Sequence, residues 1–157
     1  MNLITFDDVI KDPKTYVFDI HTHEFQDLAD GSDIFRNIQS RDNYDEFARY
    51  VTELFNGYKV NVNFIRKSPL NQVEPNFIHT DEMMGDITCI LYLNEDAPEN
   101  DGTTIYDDNN NPLVTIQSKF NRMIAFDSDA PHSRNILENF GEGESARLVQ
   151  IIFLKQL

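Results

Sequence analysis

Tyr58-Lys59-Val60-Asn61-Val62-Asn63-Phe64-Ile65-Arg66 reads as a β-strand, and it divides the chain into two parts. Apolar and polar residues alternate along most of it, which sends successive side chains to opposite faces of a sheet. Before Gly57 the period is different. Tyr44, Phe47, Ala48, Val51, Leu54 and Phe55 recur at the spacing of one helical face. Asp42 or Asn43 can cap the start of that helix, and Gly57 stands where a helix stops. A shorter helix is expected around 6–11, ended by Pro13. Downstream, strand-like runs recur at 76–79, 87–93, 103–106, 113–117, 122–126 and 147–154, separated by loops of Gly, Pro, Asn and Asp. The expected fold is therefore mainly β with N-terminal helices, an antiparallel sandwich or barrel of the jelly-roll kind. Its 157 residues suit one domain, with 1–57 as a helical lead-in and 58–157 as the β core.

Composition narrows the function. Hydrophobic residues are 40% of the chain, enough for a core and too many for a disordered segment. The net charge of −14 repels phosphate backbones, so a nucleic-acid partner is not expected. The single cysteine, Cys89, leaves no intramolecular disulfide and fits a reducing, cytoplasmic setting. In the strand over 87–93 it reads as a small buried hydrophobe, facing away from Tyr92. The N-terminus lacks the basic start and apolar run of a signal peptide, and no apolar stretch is long enough to span a membrane. The acidic run 94–111 reads as solvated loop around one short strand.

His79-Thr80-Asp81 carries the sharpest chemical signal. On a strand, residues i and i+2 share a face, so an imidazole and a carboxylate can aim at one point. His132 is the candidate third ligand. Two His and one carboxylate on one face of a metal make the facial triad of non-heme Fe(II) oxygenases, with the remaining coordination positions open.

What surrounds these residues resembles a family. Asp86-Ile87-Thr88-Cys89-Ile90-Leu91-Tyr92-Leu93-Asn94 follows the His/Asp pair as a strand. Gly102-Thr103-Thr104-Ile105-Tyr106 comes next, then Ser118-Lys119-Phe120-Asn121-Arg122, then Asp129-Ala130-Pro131-His132, then 146–154. This order resembles the 2-oxoglutarate and Fe(II)-dependent dioxygenases, most of all their prolyl 4-hydroxylase branch, over about 76–154. The resemblance implies a double-stranded β-helix. It implies Fe(II) on His79, Asp81 and His132, with 2-oxoglutarate and O2 as cosubstrates and succinate and CO2 as products. Arg147 matches the residue that holds the far carboxylate of 2-oxoglutarate, and Tyr92 a hydroxyl donor to it. Arg147 shares its strand face with Val149, Ile151 and Phe153, where a guanidinium calls for an anion. Glu142 or Glu144 could supply one from within the chain, and Tyr92 could equally be a core aromatic.

Two departures stand out. A hydroxyl residue often follows the cosubstrate Arg by four positions, where this chain has Ile151. The family's tyrosine ahead of the first His has no match, since Pro69 stands there in what reads as an inserted loop, 68–75. Arg66 and Asn63 are candidates to fill that place. Arg134, two residues after His132, is a candidate substrate contact or a surface cation. The intact Asp81 points to hydroxylation, because related halogenases lack that carboxylate. Protein or peptide side-chain hydroxylation of the prolyl type is the expected reaction, with a small-molecule substrate as the variant. Two other readings remain: a silent acidic β-barrel that binds a basic partner, and a cupin-type metalloenzyme using His21 and His23 of His21-Thr22-His23-Glu24.

Overall fold

The computed structural model describes residues 2–74, 77–135 and 138–157. Ten strands and two helices follow in the order β1 (Leu3–Phe6), α1 (Pro13–His21), β2 (Gln26–Asp30), β3 (Asp33–Ser40), α2 (Glu46–Leu54), β4 (Tyr58–Ser68), β5 (Ile87–Tyr92), β6 (Gly102–Tyr106), β7 (Pro112–Gln117), β8 (Arg122–Asp127), β9 (His132–Arg134) and β10 (Arg147–Gln156). They form a large sheet in the order β1-β8-β5-β10-β4-β3-β2 and a small one in the order β7-β6-β9. Every named pairing is antiparallel. A bridge between His79 and His132 adds a further segment beside β9. This is the double-stranded β-helix.

Strand alternation builds two cores on the two faces of the large sheet. Ile90, Tyr92, Ile124, Phe126 and Val149 point inward and meet Ile105 and Ile116 of the small sheet. Cys89, Leu91, Leu93, Met123, Leu148, Ile152 and Leu154 point outward and meet Ile20 of α1 with Phe47, Ala48 and Val51 of α2. The period-two pattern thus sorts one strand into two environments, and Cys89 lies opposite Tyr92 as its spacing requires. Burial pushes the Cys89 thiol pKa up, so it is an inert core group.

The helices differ from their expected bounds for identifiable reasons. Residues 6–11 are not helical. Phe6 ends β1, which pairs with β8. Pro13 starts α1 instead of stopping a helix, because its fixed φ suits the first helical position, and Asp12 caps it. Helix α2 begins at Glu46, since Asp45 is the residue whose Oδ1 accepts the Ala48 N–H at 2.9 Å. Tyr44 therefore lies outside the helix and is exposed. Gly57 takes φ +91°, the left-handed conformation that frees the chain to enter β4. The lead-in is mixed rather than helical, because β1, β2 and β3 extend the large sheet at both edges. Asn76, in the run expected as a strand over 76–79, lies outside the described residues. Phe77 and Ile78 are not strand, and His79 makes the bridge.

A buried polar network locks the helices to the sheet. Gln150, fully buried on the outer face of β10, donates to Asp45 Oδ2 at 2.9 Å and Asn63 Oδ1 at 2.8 Å. Its Oε1 accepts the Tyr16 hydroxyl at 2.6 Å, and Arg41 Nε reaches Asp45 at 3.2 Å. Asn63 is thus a member of this outer network and does not face the site. The alternation that places Phe64 and Arg66 inside sends it out.

Candidate active site

The His79–His132 bridge sets the site. Each backbone N–H donates to the other's carbonyl, at 3.1 and 2.9 Å, which brings the imidazole centroids to 4.3 Å. Asp81 is held two residues on by its own N–H to the Ser128 carbonyl, at 2.8 Å. Its carboxylate lies 3.0 Å from His132 Nε2 and 3.4 Å from His79 Nε2. The ligand atoms of the three side chains lie within 4.8 Å of one another, and among the described residues no other His, Cys, Asp and Glu cluster meets that test. The sequence expectation and the geometry pick out the same three residues.

The outer contacts decide how the rings present themselves. His79 Nδ1 lies 2.9 Å from the Phe77 carbonyl, and His132 Nδ1 lies 3.0 Å from the Ala130 carbonyl. A carbonyl only accepts, so both Nδ1 atoms carry hydrogen. In neutral rings both Nε2 lone pairs then face an anionic carboxylate. A cation at that point removes the repulsion, and a 2-His-1-carboxylate donor set suits Fe(II). Without metal and with the rings protonated, the picture changes: burial alone would push the Asp81 carboxyl up, but hydrogen bonds from His132 and then His79 outweigh it and hold it well below the usual carboxylate range. The same bond to Asp81 raises the His79 pKa, against its partial burial.

A cavity of about 140 Å³ adjoins the triad. Its apolar wall is Phe64 of β4 with Val149, Ile151 and Phe153 of β10, and its polar wall includes Arg66, Arg134 and Arg147. A chain with net charge −14 has therefore gathered three cations at one pocket. Arg147 is buried, and its Nε donates to Asp101 Oδ1 at 3.0 Å. The in-chain anion is Asp101, which is 2% exposed, and not Glu142 or Glu144. Arg134 Nη1 donates to Glu74 Oε2 at 3.2 Å and Asn139 Oδ1 at 2.9 Å. Burial lowers the Arg134 pKa to about 10, and burial also lowers that of Arg66. Arg66 packs across the rings of Phe35 and Phe64, both at 5.9 Å, with no acid partner among the described residues. Tyr92 is buried behind Thr103, whose hydroxyl lies 2.6 Å from its own. Thr103 lines the cavity and Tyr92 does not.

Sequence reasoning missed Asp101 and Glu74. Asp101 stood in an acidic run read as solvated, and its signal was Gly102. A Cβ on Gly102 would clash with the Ile116 carbonyl, so β6 starts pressed against β7 and its preceding residue turns inward. His21 and His23 do not form a rival centre. His21 ends α1 with its Nε2 buried and unpartnered among the described residues, and His23 Nδ1 lies 2.9 Å from the Asp19 carbonyl. His23 lines a larger cavity of about 550 Å³ with Asp19, Glu24, Arg41, Asp42 and Asp45, and no triad residue borders it.

The family model of the 2OG-Fe(II) oxygenase superfamily matches residues 70–155. The chain belongs to that superfamily. It is a 2-oxoglutarate/Fe(II) dioxygenase, and Fe(II), 2-oxoglutarate and O2 are its cofactor and cosubstrates. No curated protein sequence matches the chain. Solved structures share the oxygenase's fold. The epimerase SnoN, bound to Fe3+, alpha ketoglutarate and nogalamycin RO, aligns with a TM-score of 0.67 at 11% identity, over 98% of this chain and 78% of that one. A prolyl hydroxylase from Trichoplax adhaerens, in complex with a hypoxia inducible factor peptide fragment, gives 0.66 at 14%, over 98% and 83%. A prolyl-4-hydroxylase from Pseudomonas putida gives 0.63 at 14%, over 99% and 92%. Among the described residues, no helix of the oxygenase is long and apolar enough to cross a membrane.

Proposed function

We propose that this oxygenase hydroxylates a side chain of a protein or peptide, with His79, Asp81 and His132 as its Fe(II) ligands and Arg147 as an anchor for 2-oxoglutarate. The convergence of two Nε2 atoms and one carboxylate, with both Nδ1 hydrogens already bonded, is the observation that carries the reading. Bound Fe(II) supplies the oxidising chemistry, in which 2-oxoglutarate and O2 yield succinate, CO2 and a hydroxylated product. The chain's own residues orient and exclude. Phe77 and Ala130 carbonyls fix the ring tautomers, and Asp81 stays anionic across the working pH range. Arg147, with Nε on Asp101, keeps its two Nη groups for the far carboxylate, and Thr103 carries the contact of Tyr92 to the pocket. The apolar wall from β10 keeps water from the reacting centre.

The rim supports a peptide. Phe77, Ile78, Met83 and Met84 are all exposed on the short segment that carries His79 and Asp81. Apolar side chains grouped beside a metal pocket offer a docking surface for a side-chain-bearing substrate. The fixing of α1 and α2 to β10 supports the reading of residues 1–157 as one working unit.

The test is anaerobic addition of Fe(II) and 2-oxoglutarate, watching for the visible charge-transfer band of a chelated 2-oxo acid. A band in the wild type that disappears in Asp81→Ala supports the site. Succinate release is then measured over proline-containing peptides and free amino acids, and stimulation by free amino acids alone would overturn the peptide reading.

A further inference from the structure

Among the described residues, one edge of the Arg134 guanidinium has no partner. Nε and Nη2 are buried and have no acceptor among the described residues. These two N–H groups lie side by side and parallel, the fork that takes both oxygens of a carboxylate. The third nitrogen is anchored: Nη1 holds Glu74 and Asn139. Glu74 is itself fixed, since its Oε1 accepts from Ser68 Oγ and Gln72 Nε2, each at 2.6 Å. The guanidinium therefore cannot swing to find another partner without breaking that chain of contacts. A buried donor pair left empty is unfavourable, and it calls for a water, an ion or a ligand to complete it.

Its position says which carboxylate. Arg134 follows His132 by two residues on β9, so both face the same cavity, and Arg147 lines it from β10. Arg147 offers only part of its guanidinium, because Asp101 occupies its Nε. Of the two hydroxyl helpers that the resemblance supplies, one is absent and the other acts only through Thr103. Ile151 stands at one position, and Tyr92 has turned its hydroxyl to Thr103. A cavity of about 140 Å³ suits one small dicarboxylic acid, with its oxo-acid end toward the triad.

We propose that Arg134 is a second anchor for the far carboxylate of 2-oxoglutarate, sharing with Arg147 a seat that the last strand holds alone in the resemblance. This rests on the site reading above. The probes are 2-oxoglutarate and 2-oxopentanoate, which keeps the oxo-acid end and replaces the far carboxylate by a methyl group. Affinity is read anaerobically from the charge-transfer band with Fe(II) bound, so turnover is not needed. Arg134→Gln should weaken 2-oxoglutarate about tenfold to a hundredfold and leave 2-oxopentanoate unchanged. Arg134→Lys, which keeps charge and loses the fork, should recover only part of the difference.

A wild-type ratio between the two acids in a folded Arg134→Gln protein would overturn the proposal. So would an equal loss for both acids, which would put Arg134 at the metal end. Should Arg134→Gln fail to fold, the Lys variant decides: a wild-type ratio there is the overturning result. Absence of a band in the wild type itself would overturn the site reading, and this inference with it. A wild-type band with unchanged discrimination in the variants removes this inference alone.

Discussion

The two faces of β10 carry two polar clusters of opposite character. On the outer face, Gln150, Asn63, Asp45, Tyr16 and Arg41 close on one another, and none leaves a buried side-chain atom without a partner. On the inner face, His79 and His132 point Nε2 atoms at Asp81, and two buried donors of Arg134 have no partner among the described residues. The outer cluster is mostly buried and the inner one partly so, and an unmade bond is the more unfavourable the deeper it lies. The outer one resolves this within the chain and so specifies how helices sit on the sheet. The inner one does not resolve it among the described residues. Between these two clusters, satisfaction within the chain is what differs most.

The sharpest break of this contrast is Asp81→Ala. It should lower Fe(II) affinity by more than about a hundredfold, since even outer contacts of metal ligands are worth ten to a hundred. The metal-free melting temperature should fall modestly, because Asp81 takes with it the bonds to His132 and His79. Equilibrium Fe(II) titration and calorimetry of the same sample check both halves. A large loss of stability would put the triad with the scaffold.

Phe47→Ala tests the other face. It should cost about 3–5 kcal/mol of stability by cavity formation under α2, read by denaturant unfolding. The folded fraction should keep its charge-transfer band. Arg147→Ala joins the two faces, because it leaves Asp101 buried and unpaired at about 3–5 kcal/mol. Changing both, Arg147→Leu with Asp101→Leu, should recover most of that stability and none of the 2-oxoglutarate affinity. Gln150→Leu should cost about 1–3 kcal/mol, since it strands partners in the outer network.

The smallest effect is that of pH. His79 has a raised pKa, from its bond to Asp81, so protons compete for its Nε2 above the ordinary imidazole value of about 6.5. Fe(II) affinity should rise with pH through that region. In the metal-free protein the sign reverses. Stability from protonated His79 is present below the unfolded imidazole pKa and is lost as pH rises through the raised one. Stability from Asp81 is present above the unfolded carboxyl pKa and is lost as pH falls through its depressed one. Melting curves across pH with and without Fe(II) should therefore diverge as pH increases.

Periodicity alone determined the β core and its sidedness. Tyr58 to Arg66, the run over 87–93 and the run over 147–154 became β4, β5 and β10, with Arg147, Val149, Ile151 and Phe153 on one face. This was legible because side-chain direction in a strand is a local property of the backbone. That His79, Asp81 and His132 come together was legible from i, i+2 spacing and the order of motifs around them. Helix ends were less so. Pro13 and Asp45 act through caps that compete with near neighbours such as Asp42, and local preference does not rank them. Tertiary structure alone decided which charges pair. Asp101 with Arg147 and Glu74 with Arg134 are separated by long stretches of chain, and burial of a charge pair depends on which loops the fold brings together. The empty fork of Arg134 is a fact of that kind: no local pattern tells a satisfied arginine from one that still needs an anion.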